Sequence, residues 1–116
     1  MPMMASALVV LVALLHLYFL VLEMFLWTRP LGLKTFRNTP ERAEATRVLA
    51  ANQGLYNGFL AAGLLWGRWT AQWNVVVFFL LCVVAAALYG AWSVSRRILV
   101  VQGVPAIAAL VAISLS

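Results

Sequence analysis

The sequence predicts an all-α integral membrane protein, an antiparallel four-helix transmembrane bundle, and three observations carry that prediction. The 116-residue chain is 66% hydrophobic and 9% charged, against roughly 45–50% and about 25% in soluble domains, and its mean hydropathy is +1.01. So little polar material does not cover the surface of a soluble fold this small. The apolar residues gather into four runs, 5–27, 48–66, 74–92 and 98–115, each close to the ~20 residues that cross a bilayer as a helix. The basic residues fall between those runs, not within them.

Taken in order, the first run lacks a basic leader and is followed by Thr28, Arg29 and Pro30, so it reads as a retained span and not as a signal peptide. The loop 28–47 contains Thr39, Pro40 and Glu41, an N-cap, a proline at the first helical position and an acid near the helix N-terminus. The second helix is therefore expected to begin near Pro40 and to run unbroken to Gly67. Glu44 and Arg47, three residues apart, make a plausible surface pair. The turns 68–73 and 93–97 are tight, which forces antiparallel neighbours in an up-down-up-down bundle. Residues 1–116 then form one integral membrane domain.

The +5 net charge is a topology signal. Arg29, Lys34, Arg37, Arg42 and Arg47 lie between spans one and two, Arg96 and Arg97 between spans three and four, and Arg68 alone on the other side. The positive-inside rule makes the 28–47 loop cytoplasmic and both termini external. Anionic headgroups, not nucleic acid, are the expected partners of the cytoplasmic set. Trp27, Trp66, Trp69, Trp73 and Trp92 fall at span ends as an interfacial belt would place them. The single cysteine, Cys82, excludes an intrachain disulfide and reads as a small buried hydrophobe.

Polar groups inside the runs are the candidate site. His16 and Glu23 are two turns apart on one face of span one, separated by roughly 10 Å along the axis, and an ionisable residue at such a position is a functional hypothesis by default. Span two carries Asn52, Gln53, Tyr56 and Asn57 on one broad stripe, with Asn52 and Tyr56 expected to face Glu23. Beside them runs a small-residue stripe, Ala50, Gly54, Gly58 and Ala61, suited to close helix approach. Counted from the loop ends, Glu23, Asn52, Tyr89 and Gln102 reach similar depth in the cytoplasmic half. Such a layer serves either as interhelical glue or as a binding or proton-transfer site. Pro105, beside Gln102 and Gly103, is expected to kink span four, either opening a cavity there or fitting the packing. One His and one carboxylate at this spacing do not make a coordination sphere, so no metal is expected. No catalytic residue and no cofactor is legible.

The run Glu23-Met24-Phe25-Leu26-Trp27, with Ala51-Asn52-Gln53-Gly54-Leu55-Tyr56-Asn57-Gly58-Phe59-Leu60-Ala61-Ala62-Gly63, resembles a widespread bacterial family of small four-span membrane proteins known only as a domain of unknown function. The resemblance covers essentially the whole chain and implies the bacterial inner membrane as location. Over about 40 residues, Arg47 and Ala51-Asn52-Gln53 leading into Phe59-Leu60-Ala61 also look like the membrane-associated eicosanoid and glutathione metabolism superfamily. That likeness implies four-helix protomers assembled as trimers, with glutathione or lipids bound between subunits. The acidic residue that follows the Asn in those enzymes is absent here, so it implies a ligand-binding relative more than an enzyme. Length, four spans and a glutamate in span one are similar to the small multidrug resistance transporters, which would give Glu23 a proton- and cation-accepting role and imply a dimer. The expected function is an oligomeric intramembrane binding protein for a small amphipathic or lipid-like ligand, with a proton-coupled transporter and a glutathione- or lipid-metabolising enzyme as alternatives.

Overall fold

The computed structural model describes residues 2–116, which form helices and, among the described residues, no strand. In chain order these are α1 (Met3–Met24), α2 (Pro30–Phe36), α3 (Pro40–Ala45), α4 (Arg47–Trp69), α5 (Trp73–Ser93), α6 (Arg96–Ile98), a π-helical turn (Leu99–Gly103) and α7 (Val104–Ser114). Among the described residues, three helical segments are long and apolar enough to cross a membrane: α1, α5, and Arg96–Ser114, the last built from α6, the π turn and α7. The expected second span corresponds to the 23-residue α4, which is long enough but is not among these three apolar segments. Its first half is diluted by Asn52, Gln53 and Asn57, so it lacks the unbroken apolar stretch of the other three.

The helix boundaries differ from the sequence expectation in informative places. The first helix ends at Met24, and the following segment folds back as α2 and α3. Thr39 does cap α3, its hydroxyl accepting from the Arg42 N–H at 3.2 Å, with Pro40 at the first helical position. The helix does not run unbroken from Pro40 to Gly67. It is interrupted at Thr46, where φ is −109° and ψ 9°, and α4 continues to Trp69. The Thr46 hydroxyl donates back to the Arg42 carbonyl at 2.8 Å and accepts from the Trp27 indole N–H at 3.2 Å, which gives the bend a partner that a straight helix would not need. The expected Glu44–Arg47 pair is present at 3.3 Å, exposed on both sides.

The chain packs as two compact units that share α1 and α4. One comprises Leu15–Phe59. Here α1 and α4 are antiparallel: Gly54 lies against Glu23 and Met24, and Gly58 against Leu20. α2 is seated by Gly32, where an added Cβ would meet the Leu26 carbonyl oxygen at 1.9 Å, and by Phe36, whose ring lies 4.9 Å from that of Trp27. Trp27, expected from the sequence as an interfacial anchor, is thus a packing and hydrogen-bonding residue of this unit.

The other unit joins the start of α1, up to Leu14, to Leu60–Ser116. Its core is apolar throughout: Val9, Val12, Ala13, Ala61, Leu64, Val76, Leu80, Val83, Ala106 and Ala109 are fully buried. Small residues set the spacing, with Gly63 under the Phe79 ring and Gly67 against Val75 and Val76. The α4–α5 turn closes with Ala71 in the left-handed region (φ 56°) and the Gln72 N–H reaching the Gly67 carbonyl at 2.8 Å, a six-residue helix stop that usually carries glycine at the left-handed position. The expected disturbance at Pro105 takes the form of the π turn directly before it. A proline lacks the N–H and its ring crowds the carbonyl four residues back, here that of Val101. The wider turn absorbs both, while Gly103 stays buried close to Ala87.

The glycine contacts yield a graded test. Gly32→Ala drives a methyl into fixed backbone, and overpacking of that kind costs about 1–3 kcal/mol or more; the variant is expected to unfold or aggregate in detergent. Gly58→Ala meets one flexible atom, Leu20 Cδ1 at 2.7 Å, and gains helix propensity of up to about 1 kcal/mol, so its thermal midpoint should stay near wild type. Melting curves of the two purified variants check the order.

Candidate functional site

The site is built where α1 and α4 approach within the Leu15–Phe59 unit. Gly54 allows that approach: a Cβ there would lie 2.7 Å from Met24 Cγ and 3.1 Å from Glu23 Cβ. With the backbones this close, side chains one residue before and three after Gly54 on α4 meet Glu23 on α1. The Gln53 amide donates to Glu23 Oε2 at 2.6 Å, and the Asn57 amide donates to Glu23 Oε1 at 2.5 Å. Both carboxyl oxygens are therefore met by neutral donors, and Glu23 is 3% exposed and Asn57 8%.

The sequence had assigned the contact with Glu23 to Asn52 and Tyr56. The structure gives it to their neighbours, because one residue along a helix is a rotation of about 100°. Asn57 is buried and Gln53, four residues before it and itself exposed, reaches the carboxyl from the edge of the contact, while Asn52 and Tyr56, also four apart, turn outward. Tyr56 is 61% exposed, its ring 5.9 Å from that of Phe59, and Asn52 is exposed beside it. The small-residue stripe is used within the chain: Ala50, Gly54 and Ala61 are buried.

The remaining candidates are placed as follows. His16 is fully buried, its ring edge-on to Phe19 with centroids 5.4 Å apart. Tyr89 and Gln102 belong to the other packing unit. Tyr89 is exposed and its ring lies 5.9 Å from that of Trp92; Gln102 is half-buried inside the π turn. No group of His, Cys, Asp and Glu that would hold a metal ion occurs among the described residues. Two features escaped the sequence reading. One is the Trp27–Thr46 hydrogen bond, for which the pairing of a span-end indole with a loop hydroxyl gave no periodic signal. The other is the Arg68 guanidinium, which donates to the Ser6 hydroxyl and so ties the end of α4 to the start of α1.

These features define an all-helical protein whose long apolar helices are compatible with a membrane protein and in which one pair of helices buries a carboxyl between carboxamides. A family model described as a protein of unknown function (DUF1304) matches residues 10–114. The chain belongs to that family. It is 33% identical over 115 residues to the uncharacterized protein YpaA of Lactococcus lactis subsp. lactis (strain IL1403), covering 96% of this chain and 97% of that protein. No solved structure matches.

The two amides are not equivalent, which makes them separable by mutation. Asn57→Ala strips a donor from a buried oxygen, and an unmet buried polar group costs about 1–3 kcal/mol. Gln53→Ala exposes its oxygen to the outer side of α4 and is expected to cost less than half as much. Thermal unfolding of both variants in the same detergent, with wild type alongside, measures the difference.

Proposed function

We propose that the protein is a four-span intramembrane binding protein, a homo-oligomer that takes a small amphipathic or lipid-like ligand at the polar site centred on Glu23. In this reading α4 is the fourth span of an antiparallel bundle in the bacterial inner membrane. The seven basic residues of 28–47 and 93–97 lie in the cytoplasm, and both termini lie outside. The observation that carries the reading is Glu23 itself, nearly fully buried and held by Gln53 and Asn57. Interhelical hydrogen bonds in membranes average about 0.6 kcal/mol, a small return for a carboxyl placed in α1, where an apolar side chain would pack without that cost. Gln53 connects the carboxyl to the outer side of α4, where it is exposed and where Leu55 adds exposed apolar surface. A ligand with a polar head and an apolar body matches that combination. The likeness to the eicosanoid and glutathione superfamily supports lipids or thiol conjugates as the ligand class.

A second reading is favoured by the ionisable nature of Glu23. A carboxyl on a membrane-crossing helix is a proton or cation acceptor, so the same site would serve a proton-coupled transporter.

Glu23→Gln separates these functions from packing. The substituted amide keeps the shape, and rotation of one neighbouring carboxamide restores its hydrogen bonds, so the variant is expected to fold and assemble as wild type. Mass spectrometry of lipids and small molecules retained through purification should show a ligand on wild type, reduced at least tenfold in Glu23→Gln. Equal retention by the two proteins counts against a site at Glu23. Proteoliposome flux driven by a pH gradient and abolished in Glu23→Gln would select the transporter instead. The topology is checked by reporter fusions: a periplasm-active reporter should work at the C-terminus, and a cytoplasm-active one within 28–47.

A further inference from the structure

The outward face of α4 carries polar groups that the chain itself leaves unmatched. Asn52 and Tyr56 make no side-chain hydrogen bond to the described residues, although the neighbouring Gln53 and Asn57 both do. They lie one turn apart on a strip with Leu49, 71% exposed, and Phe59, 55% exposed. Arg47 opens the helix, so Asn52 is about 7.5 Å and Tyr56 about 13.5 Å further along the axis. On the four-span reading proposed above, on which this inference rests, that is within the hydrocarbon. Acyl chains offer such groups no hydrogen bond, and a polar group left unmatched there is costly.

We infer that this strip of α4 is the contact surface between copies of the chain, with Asn52 of one copy hydrogen-bonded to Asn52 of the next. The chemistry favours a second copy over other occupants. Copies inserted with one topology bring their α4 helices together in parallel, so each residue meets its own equivalent at the same depth. A carboxamide has both donor and acceptor and is its own complement, and Asn side chains form such bonds across membrane helices. The Tyr56 hydroxyl is likewise both donor and acceptor. Leu49 and Phe59 flank the polar pair above and below and shield it from lipid. The glycine stripe is not available for this purpose, because Gly54 is already covered by α1. Gln53, about 100° round the helix from Asn52, then lies at the edge of the contact, where the Glu23 site would open between copies.

Cysteine cross-linking in native membranes tests the assignment. The background is Cys82→Ala, since Cys82 is the free thiol. Leu49→Cys keeps Asn52 and should give a disulfide-linked species of twice the protomer mass on mild oxidation. Phe78→Cys, 60% exposed on α5, should give at least fivefold less. Adding Asn52→Leu to Leu49→Cys should lower the cross-linked fraction at least threefold. Cross-linking that is equal at both sites, or insensitive to Asn52→Leu, overturns the proposal. Labelling of Phe59→Cys by a membrane-impermeant maleimide distinguishes the two ways of failing. A protected Phe59→Cys with no cross-link at Leu49→Cys means that lipid or a ligand covers this strip, and the contact surface is rejected alone. Full labelling at Phe59→Cys means that α4 is not in the bilayer, and the four-span reading falls with it.

Discussion

The constraint on which the Leu15–Phe59 unit depends is the burial of the Glu23 carboxyl. A carboxyl away from water must find donors, and neither the rest of α1 nor the basic residues of the following segment supply them. They come from α4, and only because Gly54 removes the side chain that would hold the two helices apart. The contact therefore fixes the register of α4 against α1: a shift of one residue would present Asn52 or Gly54 to the carboxyl in place of Gln53. α2 and α3 occupy the stretch between, and Gly32 against the Leu26 carbonyl, together with Trp27 on Phe36 and Thr46, holds that connection in one conformation.

The two packing units solve opposite problems with similar residues. The unit that includes α5 and α7 is held by dispersion and shape, with valine, leucine and alanine in the core and glycine wherever a ring or a branched side chain must fit. The Glu23 unit has few large buried apolar residues and is organised by directional bonds. Directional bonds suit a site, since they place polar atoms at defined positions and leave them free to exchange partners. Close apolar packing suits a scaffold. Gln53 and Asn57, two of the polar residues that dilute the apolar character of α4, are the ones that build the site.

Two departures from regular helix show how local chemistry is absorbed. Pro105 takes away a backbone donor in a segment otherwise apolar enough to cross a membrane, and the π turn ahead of it accommodates the ring without breaking the helix. Thr46 separates α3 from α4 while its hydroxyl satisfies one backbone carbonyl and one indole.

The sequence by itself determined the helical class, three of its four expected spans as helices long and apolar enough to cross a membrane, the helix start at Thr39–Pro40–Glu41, the Glu44–Arg47 pair and the presence of Glu23 together with a polar α4. Each of these follows from composition or from contacts within a few residues, where spacing and chemistry are enough. Tertiary structure alone decided that Gln53 and Asn57, not Asn52 and Tyr56, hold the carboxyl. All four lie on one broad stripe of α4, and choosing between the pairs requires the rotation of that helix, which Gly54 sets by contact with residues some thirty positions away. The break at Thr46, the partner of Trp27 and the form taken by the Pro105 disturbance share that origin. Each depends on a neighbour's position in space, which periodicity along the chain does not encode.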